Sequence, residues 1–171
     1  MRGEKDDLAR LYKVPPSRIL RVDDHWFIPG HRFSAPEMKF FRGEAFSPPL
    51  LNAKMTSGFG SRIDPFTRLA TFHGGIDLAA ESGTPVAASA DGVVVFAGEE
   101  GAYGRLVIVR HDHEYRSYYG HLSVIRVKKN DKVKTGDLIG LVGSTGRSTG
   151  PHLHFEVRRQ GRAERPRIAH R

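Results

Sequence analysis

"TPVAASADGVVVFAG", residues 84–98, is the stretch on which the fold turns. Its short apolar runs flank Asp91-Gly92, a dipeptide that marks a tight β-turn. It reads as a hairpin whose second strand covers Val93–Ala97. The runs that follow have the same texture. "RLVIVRHD" (105–112) and "YRSYYGHLS" (115–123) read as two strands joined by a polar turn. "DLIGLVGS" (137–144) and "HLHFEVRR" (152–159) complete the set. No ten-residue helical pattern interrupts them. The economical reading of residues 51–160 is a mainly β domain, an antiparallel β-sandwich or barrel-sandwich.

Upstream the pattern differs. In "EKDDLARLYKVPPSRILRV" (4–22) the apolar positions suit two short helices broken at Pro15-Pro16, with Asp6 or Asp7 as N-cap. "WFIPGHRF" (26–33) reads as an extended stretch with a Pro-Gly turn, and residues 35–50, with three prolines, as a linker or arm. A small helical N-terminal segment, residues 1–34, thus precedes the β domain. At the other end residues 161–171 read as a basic, frayed tail. Four of the eight excess positive charges fall in residues 151–171, which suits attraction to an anionic polymer. The tail lacks interleaved aromatics, so no nucleic-acid partner is expected.

The 171 residues suffice for one well-buried core and a small module. Cysteine is absent, which excludes disulfides, thiolate metal sites and cysteine nucleophiles. Any metal must be held by histidine and carboxylate. No window approaches the roughly 18 consecutive apolar residues of a membrane span. "MRGEKDDLARLYK" has no apolar signal-peptide core.

Within the β region four histidines and an aspartate stand out. His152 and His154 alternate in a strand and so share a face. "HGGIDLA" places His73 and Asp77 four residues apart, an even spacing that lets both face one side of a continuous strand. His121 ends the strand "YYGHLS". Two histidines and an aspartate from two strands could supply three zinc ligands, leaving a fourth position for water. The other two histidines could then move protons or steady an oxyanion.

Two neighbouring motifs carry less. "RHDHEY" offers a second His-x-His, His111 and His113, then Glu114, but in a polar turn where such residues are expected to be solvated. The glycine-rich "GSTGRSTGPH" (143–152) lacks the Lys-Ser/Thr ending of a phosphate loop. Its glycines suit a close approach of backbone to substrate.

Long ordered blocks, "TSGFGSRIDPFT", "FHGGIDLAAESGTPVAASADGVVVFAG", "YGRLVIVRHD", "YYGHLS" and "VKKNDKVKTGDLIGLVGSTGRSTGPHLHFEV", closely resemble the LytM/lysostaphin-type zinc metallopeptidases that cut peptides in bacterial peptidoglycan. The resemblance covers residues about 55–160 and implies their duplicated hybrid-motif form of the barrel-sandwich. It implies that His73, Asp77 and His154 bind Zn2+ with a water, and that His121 and His152 are the catalytic pair. Some glycine-bridge cutters of this family use a tyrosine in the loop before the first ligand, and "DPFTRLATF" (64–72) has none. Residues 8–35 look like the later part of a LysM glycan-binding module, without its usual "GDTL" opening. "VKKNDKVKTGDLIG" also resembles lipoyl carrier domains, yet no exposed lysine follows a matching hairpin tip.

The expected protein is a monomeric, extracytoplasmic zinc endopeptidase with peptidoglycan as partner. An export signal or anchor is expected upstream of Met1. The rival from another class is a wall-binding regulator that holds zinc without turnover, and every ligand position being filled argues against it.

Overall fold

The computed structural model describes residues 46–168. By contacts the chain divides into two units, Met1–Ser34 and Ala35–Arg171, and the described residues belong to the second. The expected N-terminal helices and LysM-like segment lie outside the described residues.

Twelve strands follow one another: β1 Lys54–Ser57, β2 Gly60–Ile63, β3 Ala70–His73, β4 Ile76–Ala79, β5 Pro85–Ala87, β6 Gly92–Glu100, β7 Gly104–Arg110, β8 Tyr115–Ile125, β9 Lys132–Val133, β10 Leu138–Val142, β11 His152–Arg159 and β12 Arg162–Glu164. A 3-10 turn at Gly101–Tyr103 is the one helical element among the described residues. Ten strands form an antiparallel sheet in the order β1-β4-β11-β8-β7-β6-β9, with β10 on β8, β5 on β10 and β12 on β11. β2 and β3 form a separate hairpin. The antiparallel β class therefore holds. Among the described residues the sheet stays open, because β1, β5, β9 and β12 each have one partner strand.

Alternation explains which face is which. In β11, Leu153, Phe155 and Val157 point into the core, and the polar residues between them point outward. Val94, Val107, Val109, Ser117 and Tyr119 extend the inner face, and Val86, Ile139 and Val142 of β5 and β10 pack in the same cluster. Each fully buried Val, Leu or Phe contributes roughly 1.5–3 kcal/mol. The outer face carries the chemistry.

Five expectations are corrected. Asp91-Gly92 is not a hairpin: β5 pairs with β10 while β6 pairs with β7 and β9. The glycine is needed because a Cβ there would lie 2.4 Å from the Arg110 carbonyl oxygen. Asp91 Oδ1 meanwhile accepts hydrogen bonds from the backbone N–H and hydroxyl of Thr135, which tie this crossing to the β9–β10 turn. His73 and Asp77 do not share a strand, since His73 closes β3 and Asp77 lies in β4. The linker expected over 35–50 ends earlier, because Phe46, Pro49 and Leu50 are buried in the core. The tail begins later than residue 161: β12 pairs with β11, and Ile168 bridges to Phe46.

His111 is the fifth. It is buried, 6% exposed, rather than solvated. Its Nδ1–H donates to the Asp91 carbonyl at 2.7 Å, so Nε2 is left to accept from the Ser117 hydroxyl at 2.7 Å. Ser117 then receives the Tyr119 hydroxyl at 2.9 Å, and Tyr119 accepts from the Ser89 N–H at 2.8 Å. This chain satisfies buried polar groups that would otherwise cost about 1–3 kcal/mol each. Burial lowers the His111 pKa and favours this neutral form.

Candidate metal centre

β11 is the backbone of the site. Its outward residues, His152, His154, Glu156 and Arg158, stand in one row. His154 pairs in register with Asp77 of β4 on one side and Gly120 of β8 on the other. A Cβ at Gly120 would lie 3.5 Å from His154 Cβ and 3.3 Å from the Tyr103 ring, so glycine leaves this spot to the imidazole. His73 arrives from the hairpin through Gly74-Gly75. A Cβ on Gly75 would lie 2.4 Å from the Phe155 carbonyl oxygen, so only glycine lets the chain press against β11 and swing from β3 into β4.

His121 reaches the site by a different device. Strict alternation along β8 from Tyr119 would turn it into the core. Its backbone instead adopts a left-handed φ of 62°, at an irregularity where β7 and β8 change register. The phase of the strand resets: Leu122 becomes fully buried and the imidazole faces outward. Such a conformation costs a non-glycine residue about 1–3 kcal/mol and is typical of functional positions.

Three atoms converge. His73 Nε2 lies 3.1 Å from His154 Nδ1 and 3.2 Å from Asp77 Oδ1, and His154 Nδ1 lies 2.8 Å from Asp77 Oδ1. The remaining ring nitrogens are anchored to acceptors. His73 Nδ1–H donates to the Gly58 carbonyl at 2.8 Å, and His154 Nε2–H donates to Glu156 Oε1 at 2.8 Å. In the neutral histidines the inward nitrogens are therefore lone pairs, and with the carboxylate they make a cluster of acceptors without a donor. A cation resolves that repulsion. Two imidazoles and a carboxylate suit zinc, and the separations are close to those between ligands held at about 2.0–2.2 Å around one ion. All three residues are buried and can hold a metal together.

Charges around the cluster agree. Burial would raise the Asp77 pKa, but when a proton instead of a cation sits between the carboxylate and the facing His154 and His73 nitrogens, the resulting hydrogen bonds hold it far below the usual carboxylate range. Burial opposes a charge on His154, yet Asp77 and Glu156 outweigh it and raise its pKa. The site draws in positive charge. Arg62 also bonds to the Asp77 carboxylate, Nη1 to Oδ2 at 3.1 Å, and to the Ser57 hydroxyl.

His121 and His152 stand over the cluster with ring centroids 4.7 Å apart. His121 Nδ1–H donates to the Thr145 carbonyl and His152 Nδ1–H to the Gly150 carbonyl, each at 2.8 Å, so both present Nε2 to the cleft. Burial lowers the His121 pKa to about 4 and keeps the ring neutral. All five expected site residues are thus brought together, whereas His111 and His113 are not among the lining residues. The glycine-rich loop differs from expectation in part. Besides lining the cleft, its Gly146 admits the 3-10 turn: a Cβ there would lie 2.6 Å from the Ala102 carbonyl oxygen.

Sequence reasoning missed Glu156, Tyr103, Arg158 and Arg62. Glu156, 2% exposed, accepts from His154, from the Tyr103 hydroxyl at 2.8 Å and from Arg158 Nε at 2.7 Å. Burial alone would raise its pKa; the His154 and Arg158 hydrogen bonds bring it down to about 2. The alternation that revealed His152 and His154 runs on to Glu156 and Arg158, so the signal was present. The cleft, about 890 Å³, runs from Arg62, Phe66 and Phe72 beside the hairpin, past the metal cluster, to Tyr103 and Arg158. Arg147 of the glycine-rich loop reaches across to Asp64 of the hairpin turn with contacts of 2.6 and 2.7 Å.

A buried His-Asp-His cluster beneath two further imidazoles, in a cleft on an open antiparallel sheet, is the build of a metal-binding hydrolytic site. Peptidase family M23 matches residues 71–166, more than half of the chain, and the chain belongs to that family. It is 48% identical over 118 residues to the DD-carboxypeptidase/endopeptidase Mpg of Neisseria meningitidis, covering 69% of this chain and 27% of that protein. It is 46% identical over 110 residues to the peptidoglycan DD-endopeptidase ShyA of Vibrio cholerae, covering 64% and 26%. The chain thus spans about a quarter of the length of these curated relatives. A zinc-containing peptidase from Vibrio cholerae superposes with a TM-score of 0.68 at 38% identity, over 74% of this chain and 40% of that one. The catalytic domain of the antimicrobial peptidase lysostaphin from Staphylococcus simulans gives a TM-score of 0.62 at 36% identity, over 67% and 90%.

Proposed function

We propose that this chain carries the catalytic domain of a zinc-dependent endopeptidase that hydrolyses peptide bonds in peptidoglycan. The observation that carries the reading is the convergence of His73 Nε2, Asp77 Oδ1 and His154 Nδ1 beneath the Nε2 atoms of His121 and His152. The similarity to Mpg and ShyA supports the substrate class.

His73, Asp77 and His154 would hold the ion. Zinc there supplies a Lewis acid that polarises a carbonyl and makes water more acidic. The chain does the rest. The cleft seats an extended peptide between the β2–β3 hairpin and the glycine-rich loop. His121 and His152 each offer Nε2 to the reacting atoms. One accepts the proton from the attacking water and, once charged, donates it to the leaving amine. The other, when Nε2 as well as Nδ1 carries a proton, donates to the oxygen on which charge develops. The Thr145 and Gly150 carbonyls fix both rings, so the geometry exists before substrate arrives.

On this reading the chain acts outside the cytoplasmic membrane as a monomer, and residues 1–34 are a LysM-like contact to glycan. Among the described residues no helix is long and apolar enough to cross a membrane. Two imidazoles fixed with Nε2 toward the cleft have no purpose in a regulator without turnover. The test is incubation of the zinc-loaded chain with defined cross-linked muropeptides. Mass spectrometry should show new termini at one peptide bond, and intact muropeptides would refute the reading.

A further inference from the structure

The sheet register places cations in a row. Arg158 of β11 is paired with Arg116 of β8, Arg116 with Arg110 of β7, Arg110 with Val93 of β6, and Val93 with Lys132 of β9. Residues directly opposite one another share a face. Burial confirms which face it is: the chain neighbours Val157, Ser117, Val109, Val94 and Val133 are all buried, while Arg116, Arg110 and Lys132 are exposed. The row spans five strands, about 19 Å at the usual strand spacing.

Like charges placed directly opposite destabilise a sheet. Among the described residues only Arg158 is compensated, by Glu156 at 2.7 Å, while it lies over the Tyr118 ring. Among the described residues no carboxylate comes within ion-pair distance of Arg116, Arg110 or Lys132. Asp112 and Glu114 sit in the β7–β8 turn, at the margin of the row. Folding alone does not call for three uncompensated cations in register. The row is also continuous with the metal centre, because Arg158 stands two residues beyond Glu156 and four beyond His154 on the same face of β11.

We propose that this row is a second contact surface, outside the cleft, for the carboxylate-bearing peptidoglycan polymer. The proposal rests on the functional reading above, since it takes the occupant to be the substrate's own polymer. Stem peptides carry free carboxylates at repeated intervals. A polymer strand crossing β11 to β9 would meet a cation at four of the five strands while a neighbouring peptide occupies the cleft. The surface anchors the polymer and leaves the cleaved bond to the metal centre.

The experiment uses the full chain with Arg110→Gln, Arg116→Gln and Lys132→Gln combined, and leaves Arg158 in place. A control removes equal charge elsewhere, with Lys128→Gln, Lys129→Gln and Lys134→Gln. Sedimentation with purified sacculi at low and high salt, and cleavage of a small soluble muropeptide dimer, are both measured. Loss of three exposed ion pairs predicts about tenfold weaker sedimentation at low salt, with little left of the salt dependence. The control should bind as the parent does, and kcat/KM on the dimer should match the parent. Sacculi whose carboxylates have been amidated should bind parent and row variant alike. Melting should stay at or above the parent's temperature, because like charges have been removed.

Equal sedimentation of parent and row variant overturns the proposal, as does an equal loss in the control, which would assign binding to net charge. Retained sacculus binding with loss of binding to phosphatidylglycerol vesicles would assign the row to a lipid surface and also overturn it. A parent that binds sacculi through the row but cleaves no dimer would refute the catalytic reading and leave this surface standing.

Discussion

Glu156 Oε1 accepts the Nε2–H of His154 at 2.8 Å, and that bond decides which nitrogen of His154 faces the metal cluster. With Nε2 committed, Nδ1 is turned toward Asp77 and His73. Glu156 is held in turn by Tyr103 and Arg158, and Tyr103 stays protonated because burial and the Glu156 charge raise its pKa. On the proposed reading His154 would thus be oriented by a carboxylate outside the three metal-holding residues.

Replacing Glu156 should therefore weaken metal binding. Such outer partners are worth about 10–100-fold in affinity. Glu156→Ala should fall in that range in competition with a chelator. Glu156→Gln should lose less, since its amide oxygen can still accept from His154 while its NH₂ opposes Arg158. Unchanged zinc affinity in Glu156→Ala would show that His154 needs no such anchor.

The loop that holds His121 gives a second expectation. Gly104 has a φ of 62°, and a Cβ there would lie 2.4–2.5 Å from the backbone of Thr145 and Gly146. Gly104→Ala combines strain with a clash, together about 2–4 kcal/mol. The relief is displacement of Thr145, whose carbonyl holds His121. Activity should drop by about 10²-fold, the lower end of what a misplaced proton-transfer group costs, with zinc content unchanged. Parent-like kcat would separate the loop from His121.

Buried His111 makes stability depend on pH. Its folded pKa lies below the ordinary value of about 6.5, so below that pH the unfolded chain binds the extra proton. Stability is complete above the unfolded pKa and declines as pH falls from there toward the folded pKa. His111→Gln removes this contribution. Melting curves between pH 7.5 and 5 should fall less steeply for the variant than for the parent, although the variant starts lower because its hydrogen-bond chain is broken. Its zinc content should match the parent's. Parallel slopes would remove His111 as the source.

The five site residues could be read from the chain because their signals are local: alternation for His152 and His154, even spacing for His73 and Asp77, a strand rich in tyrosine for His121. The reasons they meet are not local. His73 and Asp77 come together through the Gly74-Gly75 kink against Phe155, and His121 faces outward only because its left-handed backbone resets the phase of β8. Spacing along a strand carries neither fact. Asp91-Gly92 misled for the same reason, since a turn dipeptide marks a change of direction and says nothing about which strand the chain pairs with next. His111 shows the converse: a polar turn in sequence became a buried anchor once β8 and the Asp91 crossing packed around it.

The central claim is that His154 holds the metal while His152, two residues earlier on the same face, serves the reaction. Alanine at a ligand position leaves two protein ligands, whereas alanine at His121 or His152 leaves three. Zinc per chain, measured by elemental analysis beside turbidity clearing of sacculi, separates the cases in one set of purified variants. His73→Ala, Asp77→Ala and His154→Ala should lose zinc and activity together. His121→Ala and His152→Ala should keep close to one zinc per chain and lose about 10²–10⁴ in rate. A zinc-free His152→Ala beside a zinc-loaded His154→Ala would contradict the assignment, and full metal and activity in all five variants would contradict the site itself.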